Sequence, residues 1–417
     1  MTGRRAFDIW EEQSPSWPPK SAGFEWFEPT LATRERTHMS HGIGSSWAFA
    51  TSSAETRGAR RRGRYAASVA HLARVSFELR KIADTSQAFT DFSPYVATVG
   101  ADGAVSFQAA VEGNRTGVYV GDGEILGTVV ESGPDGLRAV VSHPAVADDG
   151  TTFYGHDSNG DAVYLARGDR VERIAGAGEA ALRAIGPLGP TMSRAGVAFR
   201  ATHADGSTGV YLGSSGGFSA IADTRGELSM FHGLPVVTPD GKVFFRADLR
   251  NGEQAIFRHF EGRTKAIVDT RSGLSGLGRF PSTTHDGTVV LAASISASGS
   301  GSTREERAVP SGIFAVKDGP PIPLITSGDS FESLRGALTS GGGAVVFMGT
   351  PRAGRLALFS GPNVHDDRIL GIGDTLCGST VEEFALNPVS MNDACQLAIR
   401  VKLANGLQLV LRADPRA

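Results

Sequence analysis

A short apolar run closed by Asp-Thr, or by a close variant, returns along this chain at intervals of about 46 residues. It reads KIADT at 81–85, AIADT at 220–224, AIVDT at 266–270 and GIGDT at 371–375, with looser copies LGTVV (126–130), ERIAG (172–176) and PLITS (323–327). A fixed period of this length marks a supersecondary unit that stacks on copies of itself. Residues 234–270 show one whole unit: LPVVT, KVFFRA, QAIFRHF and TKAIVDT are four β-type runs. Asp240-Gly241 separates the first two, a strong hairpin signal because Gly accepts positive φ. Asn251-Gly252 and Glu261-Gly262 mark the next two turns. The unit is a four-stranded antiparallel meander.

The second strand and its turn recur as DGAVSFQA (102–109), DGTTFYGH (149–156), AGVAFRAT (195–202), DGKVFFRA (240–247), DGTVVLAA (286–293), GGAVVFMG (342–349) and ACQLAIRV (394–401), seven copies in all. Pro144, Pro190, Pro235 and Pro281 each precede a turn Gly by six residues. Third strands recur from GVYVG (117–121) to LVLRA (409–413). The pattern starts on a fourth-type strand (77–85) and stops on a third-type strand (407–413). Pairing these two closes a ring and abolishes exposed sheet edges. The expected fold is all-β, a seven-bladed β-propeller of four-stranded antiparallel blades over 77–417. Residues i and i+2 of the second strand share a face toward a neighbouring blade. The Asp-Thr pairs (Asp84, Asp223, Asp269 and Asp374) are expected to bond nearby backbone N–H groups and hold the loop that returns to the ring's centre.

PTMSRAGVAFRATHADGSTGVYLG (190–213) and PVSMNDACQLAIRVKLANGLQLVLR (388–412) resemble the tandem repeat Asn-x-x-Gly-x-x-Ala-Phe of bacterial, mostly exported proteins of unassigned function. The resemblance covers about residues 77–413. It implies a β-propeller and an exported or cell-surface location, and carries no catalytic residues. Three departures stand out: no export signal, Asn only in the final repeat (Asn392), and Cys395 where the turn Gly is usual. The last is compatible with a bridge to Cys377. Two cysteines in 417 residues form no disulfide framework, and two partly buried thiols are the other reading.

Residues 1–76 do not repeat. They hold all four tryptophans (Trp10, Trp17, Trp26 and Trp47), a Pro-rich aromatic stretch at 14–30 and a basic run, RGARRRGR, at 57–64. The segment reads as a poorly ordered leader or a docking segment, with a short helix expected within 65–79. The opening MTGRRAFDIWEEQ lacks the apolar core of a signal peptide, and no apolar run is long enough to cross a membrane as a helix. A net charge of −3 does not favour nucleic acid.

Chemistry is sparse. Phosphate loops, His-Glu-x-x-His and paired CxxC motifs are all missing from the sequence, and no cofactor is expected. Asp157, Asn159 and Asp161 alternate in HDSNGD, a spacing that can offer oxygens to Ca²⁺, though no bidentate acid follows. His156 and His203 end second strands and His232 precedes a first strand, so all three are placed on one ring face, with Arg279 and Phe280 on the same rim. Converging histidines would suit metal binding or acid–base work. A Gly/Ser-rich insertion at 293–312 projects from that face as a candidate lid. The expected role is a non-catalytic binding or scaffold module, a monomer presenting loops to a protein or carbohydrate partner. The competing expectation is a lyase or hydrolase with its site at the channel mouth.

Overall fold

The structure is a computed structural model, and it describes residues 70–134, 136–147, 150–295 and 311–416. The tryptophans, the Pro-rich stretch, the basic run and most of the Gly/Ser-rich insertion lie outside the described residues.

Seven separate antiparallel sheets follow one another along the chain. Blade 4 shows the unit most simply: Leu228–Val237, Val243–Leu249, Gln254–Phe260 and Arg263–Asp269, each paired to the next. The other blades repeat this order around the axis, so the fold is the expected seven-bladed β-propeller. First strands line the centre. In blades 2, 3 and 5 they break at Pro144, Pro190 and Pro281, and blade 4 shifts register at Pro235. Proline offers no N–H to the ladder, so these sites suit a strand that leaves the ladder at mid-depth.

Strand alternation distributes the core. Val243 and Phe245 pack toward blade 3, whereas Phe244 between them packs toward blade 5. The described residues form seven hydrophobic clusters, and each joins two adjacent blades. Within most blades an aromatic of the second strand sits beside one of the third. The ring centroids lie 6.0 Å apart for Phe107–Tyr119, 5.6 Å for Phe153–Tyr164, 5.3 Å for Phe199–Tyr211, 5.4 Å for Phe245–Phe257 and 5.8 Å for Phe347–Phe359. Such pairs add about 0.5–1.5 kcal/mol each beyond the area they bury. Leu291–Phe314 and Ile399–Leu411 hold the same register in blades 5 and 7.

Ring closure is as expected: Phe77–Asp84 pairs antiparallel with Gln408–Pro415, from Phe77 opposite Pro415 to Asp84 opposite Leu409. The Asp-Thr pairs hold the turns. Asp84, Asp223 and Asp269 each accept the backbone N–H two residues on, at 2.9 Å. Thr224 Oγ1 accepts the Thr208 N–H at 3.0 Å and Thr270 Oγ1 the Gln254 N–H at 3.3 Å. Thr85 takes the matching bond from Gln408 at 3.0 Å, so the closing strand reproduces the contact made inside other blades.

Two expectations are corrected. No helix occupies 70–79; His71–Leu72 instead lies parallel to blade 6, opposite Ala344 and Val345. Here the third strand of blade 6 is short (Ala357–Phe359), and the incoming chain takes the vacant backbone partners: His71 and Ala73 donate to Gly343 and Val345. Ala70 and Leu72 are buried in the core between blades 5 and 6. Secondly, Cys377 and Cys395 are both free thiols. Cys377 precedes the first strand of blade 7, and Cys395 sits in the turn before its second strand, at the opposite end. The seven-residue strand Leu397–Leu403 that spans this distance is about 20 Å long, whereas a bridge needs Cα atoms within about 7 Å.

Candidate functional site

The face carrying the second-to-third and fourth-to-first connections, here the upper face, contains all three predicted histidines. They do not share partners. His156 Nδ1 lies 3.0 Å from Asp161 Oδ1 inside its own hairpin, half exposed. His203 is buried and bonds through Nε2 to the Tyr211 hydroxyl of its own blade; its Nδ1 has no partner. His232 Nε2 lies 2.8 Å from Asp248 Oδ2 in blade 4.

The alternating acids of HDSNGD are engaged locally. Asp157 Oδ2 accepts the Tyr164 hydroxyl at 2.5 Å and faces Arg173 Nε at 3.5 Å, while Oδ1 accepts the Asn159 N–H at 2.6 Å. Asp161 holds His156. Among the described residues, no group of three His, Cys, Asp or Glu side chains is placed to hold a metal ion.

His143, from blade 2, is buried; Asn387 Nδ2 of blade 7 lies 3.3 Å from its Nε2, and the ring bonds the Pro190 carbonyl of blade 3. Gly189 lies so close to this imidazole that a Cβ there would strike the ring. Burial pushes the His143 pKa down to about 4, the Pro190 bond opposing only in part. Phe280, half-buried, packs on the core between blades 6 and 7.

Polar groups gather instead on the side of blades 3, 4 and 5. Arg246, opposite His232 across the first and second strands of blade 4, places Nη1 2.7 Å from Asp248 Oδ1. Asp248 is therefore shared between a guanidinium and an imidazole. Burial works against its charge, but the His232 bond and the Arg246 charge outweigh this and hold its pKa below the ordinary range. Burial lowers the His232 pKa; the Asp248 bond opposes, and the positive charges of Arg246 and Arg279 add to the depression. Burial likewise lowers the Arg246 pKa.

One glycine makes this approach possible. Gly233 follows His232 at φ 58°, and a Cβ there would run into the Arg279 carbonyl oxygen of blade 5. With no side chain it accepts both the left-handed backbone and the contact. Arg279 is exposed above it. Arg200 of blade 3 comes from the other side, its Nη1 3.2 Å from the Gly233 carbonyl oxygen.

Arg279 and His232 are thus brought together as the sequence suggested, without His156 or His203. Arg200 and Arg246 were missed. Their signal was present: AFRAT, FFRAD and AIRVK each insert an Arg into an otherwise apolar second strand.

Fold and face together define a seven-bladed β-propeller whose upper mouth groups Arg246, Asp248, His232 and Arg279, with His143 buried between blades 2, 3 and 7. No protein-family model matches the chain, and no curated protein matches it. Many solved structures share the fold. An oligogalacturonate lyase in complex with manganese is 9% identical, over 82% of this chain and 98% of that one, with a TM-score of 0.50. An oligogalacturonate lyase from Vibrio parahaemolyticus is 9% identical over 81% and 98%, with a TM-score of 0.46. A puromycin-hydrolyzing peptidase from Mycobacterium tuberculosis is 12% identical over 84% of this chain and 54% of that one, with a TM-score of 0.46. At these identities the likeness concerns the fold.

Proposed function

We propose that this protein is a non-catalytic binding propeller that presents its upper mouth, on the side of blades 3–5, to a carbohydrate. The observation that supports this is the grouping of Arg279, His232, Asp248 and Arg246 at the mouth. Such a polar rim suits the hydroxyl and ring oxygens of a saccharide better than the apolar anchor that a protein partner inserts. Of the large exposed apolar side chains, Ile125, Leu126, Val171 and Ile322 belong to outer strands and their turns; Met230 lies in the first strand of blade 4, and Val141 directly follows Ala139–Val140 of blade 2. The exported or surface location implied by the repeat resemblance is part of this reading.

A second reading has one observation in its favour. His232 Nε2 faces Asp248, the arrangement that orients an imidazole for proton transfer and leaves Nδ1 available as a base. A lyase or hydrolase at the same mouth would use it. One experiment separates these. The purified full chain is applied to immobilised neutral and acidic polysaccharides, with retention and release of new reducing or unsaturated ends both measured. Retention without release, reduced in R279Q, is the expected result. Release abolished in H232A would replace binding by catalysis, and no retention on any polysaccharide would overturn the carbohydrate reading.

A further inference from the structure

In every blade, the residue after the second-strand member of the paired core position points at the next blade. In order these are Gln108, Tyr154, Arg200, Arg246, Ala292, Met348 and Arg400. The three arginines are 9%, 3% and 2% exposed. A buried guanidinium without a counter-charge is strongly unfavourable, so each calls for an anion.

Arg400 has one. Its Nη2 lies 2.5 Å from Glu383 Oε1, and its Nη1 donates to Ser93 Oγ at 3.0 Å. Arg246 has half of one, because Asp248 also holds His232. Arg200 has none among the described residues: its guanidinium donates to the Gly233 carbonyl, its backbone N–H to the Tyr154 hydroxyl, and Nε is buried without a partner. Nε of Arg246 is likewise unpartnered. Arg279 adds a third guanidinium, exposed and paired with no carboxylate among the described residues, close enough to depress the pKa values of His232 and Arg246. Arg200 and Arg279 meet Gly233 from opposite sides. Blades 4 and 5 therefore bring the guanidinium groups of Arg246 and Arg279 near one carboxylate, Asp248, that already holds His232, while Arg200 of blade 3 supports the Gly233 backbone beside them.

We infer that this mouth binds an oxyanion group, a carboxylate or a phosphate carried by the ligand, with Arg279 as the exposed contact and Arg246 as the buried positive floor. The planar fork of arginine matches both groups, and its charge-assisted bonds are the strong ones. The inference rests on the reading that the upper mouth is the binding face, and narrows the saccharide to an acidic or phosphorylated one.

Calorimetric titration at constant ionic strength tests it, with glucuronate, glucose and inorganic phosphate as probes. The proteins are the full chain, R279Q, and R263Q as an outer-strand control. Both substitutions are at exposed positions, so neither depends on repacking a core. The expected result is binding of glucuronate but not glucose, weakened about tenfold to a hundredfold in R279Q and unchanged in R263Q. Phosphate binding with the same Arg279 dependence, without glucuronate binding, also supports the site and assigns it to a phosphorylated ligand. Anion binding equal in R279Q and the parent, or no anion binding at millimolar concentration, overturns the inference. Equal binding of glucose and glucuronate overturns it while leaving the binding face standing. Anion binding together with failure to retain any polysaccharide upholds the anion site and removes the carbohydrate reading instead.

Discussion

The imidazole at the ring's centre makes a measurable claim about acid stability. In the unfolded chain His143 titrates at the ordinary 6.5, whereas in the fold burial holds it at about 4. The folded state keeps this ring neutral, so nothing is lost above pH 6.5. As the pH falls below 6.5 the unfolded chain takes up a proton that the folded one refuses, and stability declines until the pH reaches about 4. The gap between the two values, at about 1.4 kcal/mol per pH unit, amounts to about 3 kcal/mol from this one side chain. The group is fully buried, so little solvent screening reduces the figure. Asp84, Asp240 and Asp269 also favour folding at neutral pH, because their pKa values are held low in the fold. That contribution is lost below the unfolded carboxylate range and belongs equally to a variant. Urea unfolding of the parent and of H143Q at pH 7, 6, 5 and 4.5 therefore isolates the histidine. Glutamine is of similar size and keeps an acceptor for Asn387. H143Q is expected to be less stable than the parent at pH 7, with the difference shrinking by about 2–3 kcal/mol by pH 4.5. Two parallel stability curves between pH 7 and 4.5 would refute the placing of His143 as a buried neutral ring.

Three further outcomes are expected. A chain beginning at residue 77 should unfold at lower urea than one beginning at residue 69, by about 2–3 kcal/mol, because it loses the buried Leu72 and the parallel backbone bonds to blade 6; equal midpoints would show that 70–76 adds nothing to the ring. Replacing Gly233 by Ala should cost about 2 kcal/mol or more in thermal or urea unfolding, since the new Cβ meets the Arg279 carbonyl in a left-handed backbone; a neutral effect would place the first strands of blades 4 and 5 further apart. Both thiols should react with a disulfide reagent, exposed Cys377 at once and Cys395 more slowly, because burial pushes the Cys395 thiol pKa up; a mass two daltons low before reduction would reinstate the bridge.

The architecture was legible because each blade has to solve the same problem with nearly the same residues. Asp-Gly turns, the second-strand aromatic and the closing Asp-Thr are local solutions, and they print a period into the sequence. Even ring closure could be read, since a lone fourth-type strand at one end matches a missing one at the other. The departures have equally physical reasons. His71–Leu72 form a strand and not a helix because blade 6 leaves backbone groups unpaired, which depends on the length of a strand some 280 residues away. Cys377 and Cys395 are near in sequence and lie at opposite ends of one blade, because the single strand Ser379–Ala385 runs between them.

The mouth divides the same way. The sequence by itself determined seven blades, the upper face, and the rise of His156, His203, His232 and Arg279 toward it. Only the tertiary structure decided which of these meet. His156 and His203 turn back to Asp161 and Tyr211 in their own blades, whereas His232 joins Arg246, Asp248 and Arg279, because contacts between blades depend on how closely two backbones approach. At Gly233 that approach is set by the absence of a single Cβ, and no period in the sequence records it.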